Sequence, residues 1–547
     1  MRAASTLALV LSAAALGTPL AQAGPAPSHT LLRSLERFEQ DVRRLDRTLP
    51  PASGPAAANP LSPAELQQLK APPAAAIPGT TAAVAIQQRL TLSLPQALEL
   101  AVRNSPALAE QAAAVRERQG LRRSVQGRFW PELALELGGS YSQLRTYNKV
   151  WTDNAGIYPP GSPFLVQPNG WNRIQSNLGL GAAGLGLNWE LVSFERGAAL
   201  AETSQELEAA RRRYANGLRQ LQLDVSLAYY GLQLAEQLRR VRQAVVDNDT
   251  VVRDEVQALK RSGLVPRLDL LRAEANLQQS RYRLEQADAL RLSRQRQLSN
   301  LLNAPFNITL TAPEAGGLQP PWPLDLERTL IAGFRDNPQL LALQAARDAL
   351  LRQADRRAAE LLPSLRLFAR GGLADALSSK PVIDLNGCCA ATNIPQLNSQ
   401  NSDWAAGLEL RWRLFDAGVT SGAVSASRAA AERTEQALAR ERNTIRQRME
   451  TAFYDHRASL GQIVAARSAF SATREAFRDV RARYQLGLAN YTDVSDTIRQ
   501  LTQAMEGVAE SVTLANVSYA QLLRELLPVP DQPTEAVSLP LVLPSTP

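Results

Sequence analysis

Two hydrophobic periods alternate along the chain. Leu133, Leu135, Leu137 and Tyr141 fall on one face of an extended segment, with Ala134, Glu136 and Ser140 on the other. Alternation returns at Leu185, Leu187, Trp189 and Leu191, and more noisily at Leu365 and Leu367 against Arg366 and Phe368. It is cleanest at Ala406, Leu408, Leu410, Trp412 and Leu414, whose opposite face carries Gly407, Glu409, Arg411 and Arg413. A period of two predicts strands. Apolar-out, charged-in segments of roughly ten residues with aromatics near their ends have the pattern of transmembrane barrel strands. A half-buried soluble strand also alternates, so a single segment leaves both readings open. Under the membrane reading Leu408, Leu410 and Trp412 face lipid, and Trp189 and Trp412 anchor the interface. Long polar loops are predicted inside each strand pair, holding Tyr147, Trp151, Tyr158 and Trp171 in the first and Cys388-Cys389 in the second.

The remaining pattern is helical. Ser93 with Gln96 makes a capping box over a short helix. Ser105-Pro106 and Asn337-Pro338 each set a capping residue before a proline at the first helical position. The helices they open end at Trp130-Pro131 and Leu362-Pro363, and the spacing between first and second proline is the same in both halves. After Phe194-Glu195-Arg196-Gly197, and again after Phe415-Asp416-Ala417-Gly418, a helix of roughly 65 to 70 residues, about 100 Å, is predicted. A return helix of roughly 39 residues spans about 58 Å, and the helix between the prolines, about 22 residues, supplies a further 33 Å or so. One long helix can thus be flanked by two shorter ones stacked end to end.

Each long helix stops at a glycine. In Ser262-Gly263-Leu264 and Leu486-Gly487-Leu488 the glycine suits the left-handed conformation that ends a helix. Asp269 follows the first, and Asp493 and Asp496 the second, where acidic groups complement the start of the next helix. Both stretches read as tips of helical hairpins, and these residues would serve as terminators and helix-start acids whatever the function.

Composition narrows the setting. In a chain of 547 residues the internal repeat favours one elongated body of two similar halves over several domains. Residues 1–23 have the layout of a signal peptide: Arg2, an apolar run from Leu7 to Leu16, then Ala21-Gln22-Ala23. No cysteine follows this segment directly, so no lipid anchor is predicted. No apolar run reaches the roughly 18 residues of a membrane helix, so a membrane role would use strands. The net charge of +8 is mostly arginine spread among Glu and Asp, the pattern of solvated helix faces and not of nucleic-acid binding. Residues 24–91 are rich in Pro and Ala, with an amphipathic stretch from Leu31 to Leu49, and read as an extension with little structure of its own. Cys388 and Cys389 offer either an exposed pair or a vicinal disulfide, which would be strained because adjacent α-carbons lie only about 3.8 Å apart. No phosphate loop, zinc-protease helix or hydrolase elbow is present, so neither enzyme activity nor a cofactor is predicted.

About four strands cannot close a barrel, and open sheet edges are not tolerated in lipid. Three chains would give about 12 strands, within the observed range. In this order and in duplicate, the Asn-Ser-Pro and Asp-Asn-Pro helix starts, the Trp-Pro and Leu-Pro strand entrances, the Leu-Phe-Asp-Ala-Gly ending at Gly418 and the two tip motifs resemble the TolC-like outer-membrane channel proteins. The resemblance covers roughly 92–527. It implies a mainly α fold with a membrane β-barrel: a homotrimer whose 12-stranded barrel in outer-membrane lipid continues as a periplasmic α-helical barrel. Segments 92–315 and 316–527 would be the two channel repeats, followed by a Pro-rich tail at 528–547.

The implied role is the exit duct of a tripartite efflux pump, with a periplasmic adaptor and an inner-membrane transporter as partners, or the channel of a type I protein secretion system. An exported structural coiled-coil or adhesin-like protein is the alternative from another class. By position, Ser262, Gly263, Leu264, Leu486, Gly487 and Leu488 match the family's adaptor-docking tips, Asp493 and Asp496 the acidic pore entrance, and Asp269 and Tyr484 the contacts that hold it shut. Ala489 stands where family members carry an arginine, which removes one salt bridge from the implied lock.

Overall fold

The computed structural model describes residues 29–48 and 61–543, apart from short breaks at 63–64, 67–68, 154–156, 158, 160–161, 163–164, 166–167, 314–316, 386–387, 534–536 and 538. At 388–392 it describes the backbone alone. The signal-like segment, Tyr158 and the side chains of Cys388 and Cys389 lie outside what is described.

In chain order the elements are α1 (His29–Thr48), the single turn α2 (Thr81–Val84), β1 (Gln88–Thr91), α3 (Leu94–Asn104), α4 (Pro106–Gly127), β2 (Glu132–Lys149), β3 (Trp171–Val192), α5 (Phe194–Arg261) and α6 (Arg267–Leu301). They continue with β4 (Ile308–Thr311), α7 (Leu326–Arg335), α8 (Pro338–Ala359), β5 (Ser364–Leu385), β6 (Cys388–Arg411), α9 (Val419–Gln485) and α10 (Tyr491–Leu526). The caps sit where the sequence puts them. Ser93 and Gln96 form the capping box of α3, and Pro106 and Pro338 open α4 and α8 behind Ser105 and Asn337. The two long helices, α5 and α9, have 68 and 67 residues, and the returns α6 and α10 have 35 and 36. Helices α4 and α8, at 22 residues each, pack on α5 alongside those hairpins.

The strands depart from expectation in length. They run for 18 to 24 residues instead of roughly ten. Tyr147 lies inside β2, Trp171 opens β3, and Cys388-Cys389 begin β6, so these residues are not in long loops. Side-chain alternation marks only the apolar stretch, while backbone pairing continues through polar residues beyond it. Residues 24–91 also hold more structure than their composition suggests. Helix α1 docks on the body, Leu69 and Leu90 are buried, and β1 pairs in parallel with β4.

The main core sits at the waist, where α3, α5, the end of α6 and the β1–β4 pair meet around Leu98, Leu218, Leu232, Leu298 and Leu310. There Arg219 is enclosed and donates to the carbonyls of Leu527 (2.6 Å), Glu525 (2.8 Å) and Asp336 (3.4 Å), so it ties the end of α10 and the end of α7 to α5. His456 bridges α9 to the segment before α7. Its Nε2 accepts from the Trp322 amide at 3.2 Å, which leaves Nδ1–H to donate to the Ala515 carbonyl at 3.2 Å.

Candidate functional site: the apolar sheet face and the hairpin tips

The long strands form one antiparallel sheet in the order β2-β3-β5-β6. Register decides its chemistry. Leu133 pairs with Leu187 and Leu135 with Leu185; Trp189 pairs with Leu367; Leu365 and Leu367 pair with Leu410 and Leu408. Since paired residues share a face, these rows join into one apolar surface across all four strands. Leu133, Leu135, Leu137, Tyr141, Leu408 and Leu410 are all more than 60% exposed on it. The other face holds Glu132, Glu136, Glu190, Arg366, Arg370 and Glu409, with Arg366 and Glu409 paired directly across β5 and β6. Along β2 the apolar face runs from Leu133 to Tyr141 and gives way to Gln143 and Arg145. That is nine positions, the length of a strand crossing the hydrocarbon layer. No helix among the described residues is long and apolar enough to cross a membrane.

At the helix side of this belt the two halves use the same device. The Trp189 indole donates to the Phe129 carbonyl and the Trp412 indole to the Leu361 carbonyl, each at 3.0 Å. Both acceptors lie two residues before the proline that opens a strand. Each indole thus keeps its apolar body outward and its N–H satisfied at the junction of sheet and helices, as interfacial tryptophans do.

At the opposite end both tips close with the same bonds. The Gly263 amide donates to Lys260 and the Leu264 amide to Leu259; the Gly487 amide donates to Tyr484 and the Leu488 amide to Arg483. This is the Schellman arrangement, with glycine at the left-handed position (φ +76° and +73°). Nothing lies within 4 Å of a Cβ added at Gly263, so conformation and not space demands glycine there. Ser262 turns its hydroxyl onto the Leu259 carbonyl at 2.9 Å. Leu264, Leu486 and Leu488 project into solvent, at 56%, 74% and 73% exposed.

Between the tips lies a cleft of about 570 Å³ that brings together Asp269, Tyr484, Gly487, Ala489, Tyr491 and Asp496. Asp493 is not in its lining. Its carboxylate accepts from the Asn490 amide (3.1 Å) while its own amide donates to the Asn490 side chain (3.0 Å), a capping box at the start of α10. Asp496 pairs with Arg499 at 2.9 Å, and Asp269 has Arg272 at 3.9 Å. These two arginines line the same cleft and were absent from the sequence-based site, although each stands one helical turn after its aspartate. They restore positive charge that Ala489 does not supply. Burial, with the nearby Glu255 adding to it, pushes the Tyr484 hydroxyl up to about 12. Tyr484 packs beside Leu31, Val252 and Tyr491. Deeper in, Ser280 donates to Asp249 at 2.6 Å; burial raises that carboxyl above its usual range.

A sheet with one lipid-compatible face, joined to helical hairpins about 100 Å long, defines an outer-membrane duct with a helical tunnel. Comparison with known proteins agrees. The profile of the outer membrane efflux protein family matches residues 97–304 and 335–524, more than half of the chain, and the protein belongs to that family. It is 25% identical over 382 residues to Protein CyaE of Bordetella pertussis, an alignment covering 67% of this chain and 70% of that one. Among solved structures it resembles the outer membrane protein VceC of Vibrio cholerae (17% identity, TM-score 0.59, 79% of this chain and 95% of that one). It also resembles the CmeC outer membrane channel of Campylobacter jejuni (13% identity, TM-score 0.56, 88% and 94%). The fold is therefore that of the TolC-like channels, and the protein resides in the outer membrane with its helices in the periplasm.

Proposed function

We propose that this protein is the outer-membrane exit duct of a tripartite efflux pump and works as a homotrimer. The observation that carries the reading is the sheet: its apolar face is continuous over four strands, yet its two edges, β2 and β6, have no strand partner among the described residues. Unpaired strand edges are not tolerated in lipid, so neighbouring copies pair with them, and three copies make a barrel of about 12 strands. The charged face of Arg366, Arg370 and Glu409 then lines a water-filled lumen. A structural coiled coil would have no use for such a sheet.

In this reading Ser262, Gly263, Leu264, Leu486, Gly487 and Leu488 dock a periplasmic adaptor that links the duct to an inner-membrane transporter. The exposure of the three leucines supports it. Asp269, Tyr484, Asp493 and Asp496 surround the narrow entrance, which three copies of the acidic pair make cation-selective, with Arg272 and Arg499 tempering the effect. Type I protein secretion would use the same duct.

The test is Leu264→Glu with Leu488→Glu, which spares both glycines. The expected result is an intact oligomer that no longer supports export, with failed drug or metal efflux or failed protein secretion naming the route. Full export by the double variant would refute docking at these tips. A monodisperse, pore-forming monomer in mild detergent would refute the trimer.

A further inference from the structure

Helix α1 lies outside both segments that match the family, which begin at residue 97. Its apolar positions Leu31, Leu35, Phe38 and Val42 recur every three or four residues and are all at least 97% buried, though not within α1 itself. Leu35, Phe38 and Val42 share one cluster with Val241 and Ala244 of α5, Phe470 and Phe477 of α9, and Ile498 and Leu501 of α10. Phe38 meets Phe477 edge to face, with ring centroids 5.5 Å apart.

The polar contacts divide in the same way. Toward the first hairpin, the Ser34 hydroxyl donates to Asn248 at 3.1 Å. Toward the second, Arg478 donates to Glu39 at 3.0 Å, Arg481 pairs with the same carboxylate, and Arg474 donates to Asp46 at 2.6 Å. Burial works against charge on Glu39, but Arg43, Arg481 and Arg478 outweigh it and hold the carboxyl below its usual range. Among the described side chains, direct polar links between the hairpins at this level include Arg242–Glu506 at 2.6 Å and Asn276–Ser495 at 3.4 Å. Helix α1 adds a second set through a third body, and its first buried residue, Leu31, packs beside Tyr484 at the cleft between the tips.

We propose that α1 is a strap that clasps the two hairpins of one protomer near their tips and sets their separation, so that widening the periplasmic entrance requires α1 to let go of one hairpin. The apolar stripe is inserted between α5 on one side and α9 with α10 on the other. Moving the hairpins apart must therefore either part α1 from α9, exposing Phe38 and Phe477 and leaving Glu39 without Arg478 and Arg481, or part it from α5, exposing Val241 and Ala244 and leaving Asn248 without the Ser34 hydroxyl. Both are costly, because unpairing a buried charge and opening an apolar contact to water each work against the movement. The proposal rests on the channel reading above.

Two variants test it in the full-length protein with Cys388 and Cys389 replaced by serine. Phe38→Ala with Glu39→Arg removes the ring contact and sets a like charge against Arg478 and Arg481. It is expected to keep the oligomer, to raise single-channel conductance in planar bilayers several-fold, and to admit a large hydrophilic antibiotic to cells. The second variant carries two cysteine pairs, Ser34→Cys with Asn248→Cys and Asp46→Cys with Arg474→Cys, each joined by a bifunctional methanethiosulfonate reagent that spans the side-chain contact and fastens α1 to both hairpins through reducible bonds. Conductance and export should fall when mass spectrometry shows both pairs bridged, and recover with reductant. An oligomeric first variant with wild-type conductance, or a fully bridged second variant with undiminished export, would overturn the strap. If the first variant does not assemble, the bridged one decides. A wild-type protein that forms no pores would overturn the channel reading itself, and the strap with it.

Discussion

Arginine scanning along β6 tests the membrane assignment most directly, because the barrel reading gives a depth for each position. Trp412 marks the helix-side edge of the apolar belt, held there by its bond to the Leu361 carbonyl. A strand rises about 3.3 Å per residue, and at a tilt of about 40° two residues advance about 5 Å in depth. Leu410 therefore sits about 5 Å and Leu408 about 10 Å inside a belt about 25 Å tall, which puts Leu408 near its middle. Arginine on the lipid face costs about 2–4 kcal/mol at the midplane and about 0–1 at the interface. Leu408→Arg should thus destabilise each chain by about 2–4 kcal/mol and Leu410→Arg by about 1–2, the latter relieved by the side chain reaching outward. Ala134→Arg, on the charged face between Glu132 and Glu136, should change stability by less than about 0.5 kcal/mol. Denaturant titration of protein in lipid vesicles, followed by tryptophan fluorescence, measures all three. Equal costs at 408 and 410, or a larger cost at 134 than at 408, would refute the face assignment and the depth scale together.

Other outcomes follow from single contacts. Gly487→Ala, at a left-handed backbone position, should destabilise by about 1–2 kcal/mol. Gly461→Ala, in open space within α9, should stabilise by about 0.5–1 kcal/mol; denaturant titration gives both signs. Burial holds His456 below its ordinary value of 6.5, against a weaker opposing effect of its bond to Ala515. Its contribution is complete above about pH 6.5 and is lost as pH falls, because the unfolded chain takes up the proton more readily. A stability profile from pH 7.5 to 5 should slope downward in the wild type and flatten in His456→Gln. Arg219→Met would leave the enclosed carbonyls of Leu527 and Glu525 without their donor, for a loss of at least about 2 kcal/mol, measurable by the same titration.

The sequence by itself determined what is local. A period of two placed the apolar stretches of β2, β3, β5 and β6. Prolines and their capping residues placed the starts of α4 and α8, and Gly263 and Gly487 the ends of α5 and α9. These follow from backbone sterics and side-chain alternation within a few residues, so they survive without knowledge of neighbours. The leucines of the apolar sheet face were legible for the same reason, and so in principle were Arg272 and Arg499, one turn beyond their aspartates.

Tertiary structure decided whatever depends on partners distant in sequence. The strands run far beyond their apolar stretches because hydrogen-bonded pairing, not hydropathy, ends them. The junction of the two halves at β3 and β5 is a matter of register between segments some two hundred residues apart. Asp493 was drawn into a capping box and away from the cleft by Asn490. Helix α1, from a Pro- and Ala-rich region that reads as an appendage, became part of the core between the hairpins. Its amphipathic stripe announced that something must cover it; only the packing of α5, α9 and α10 showed what does.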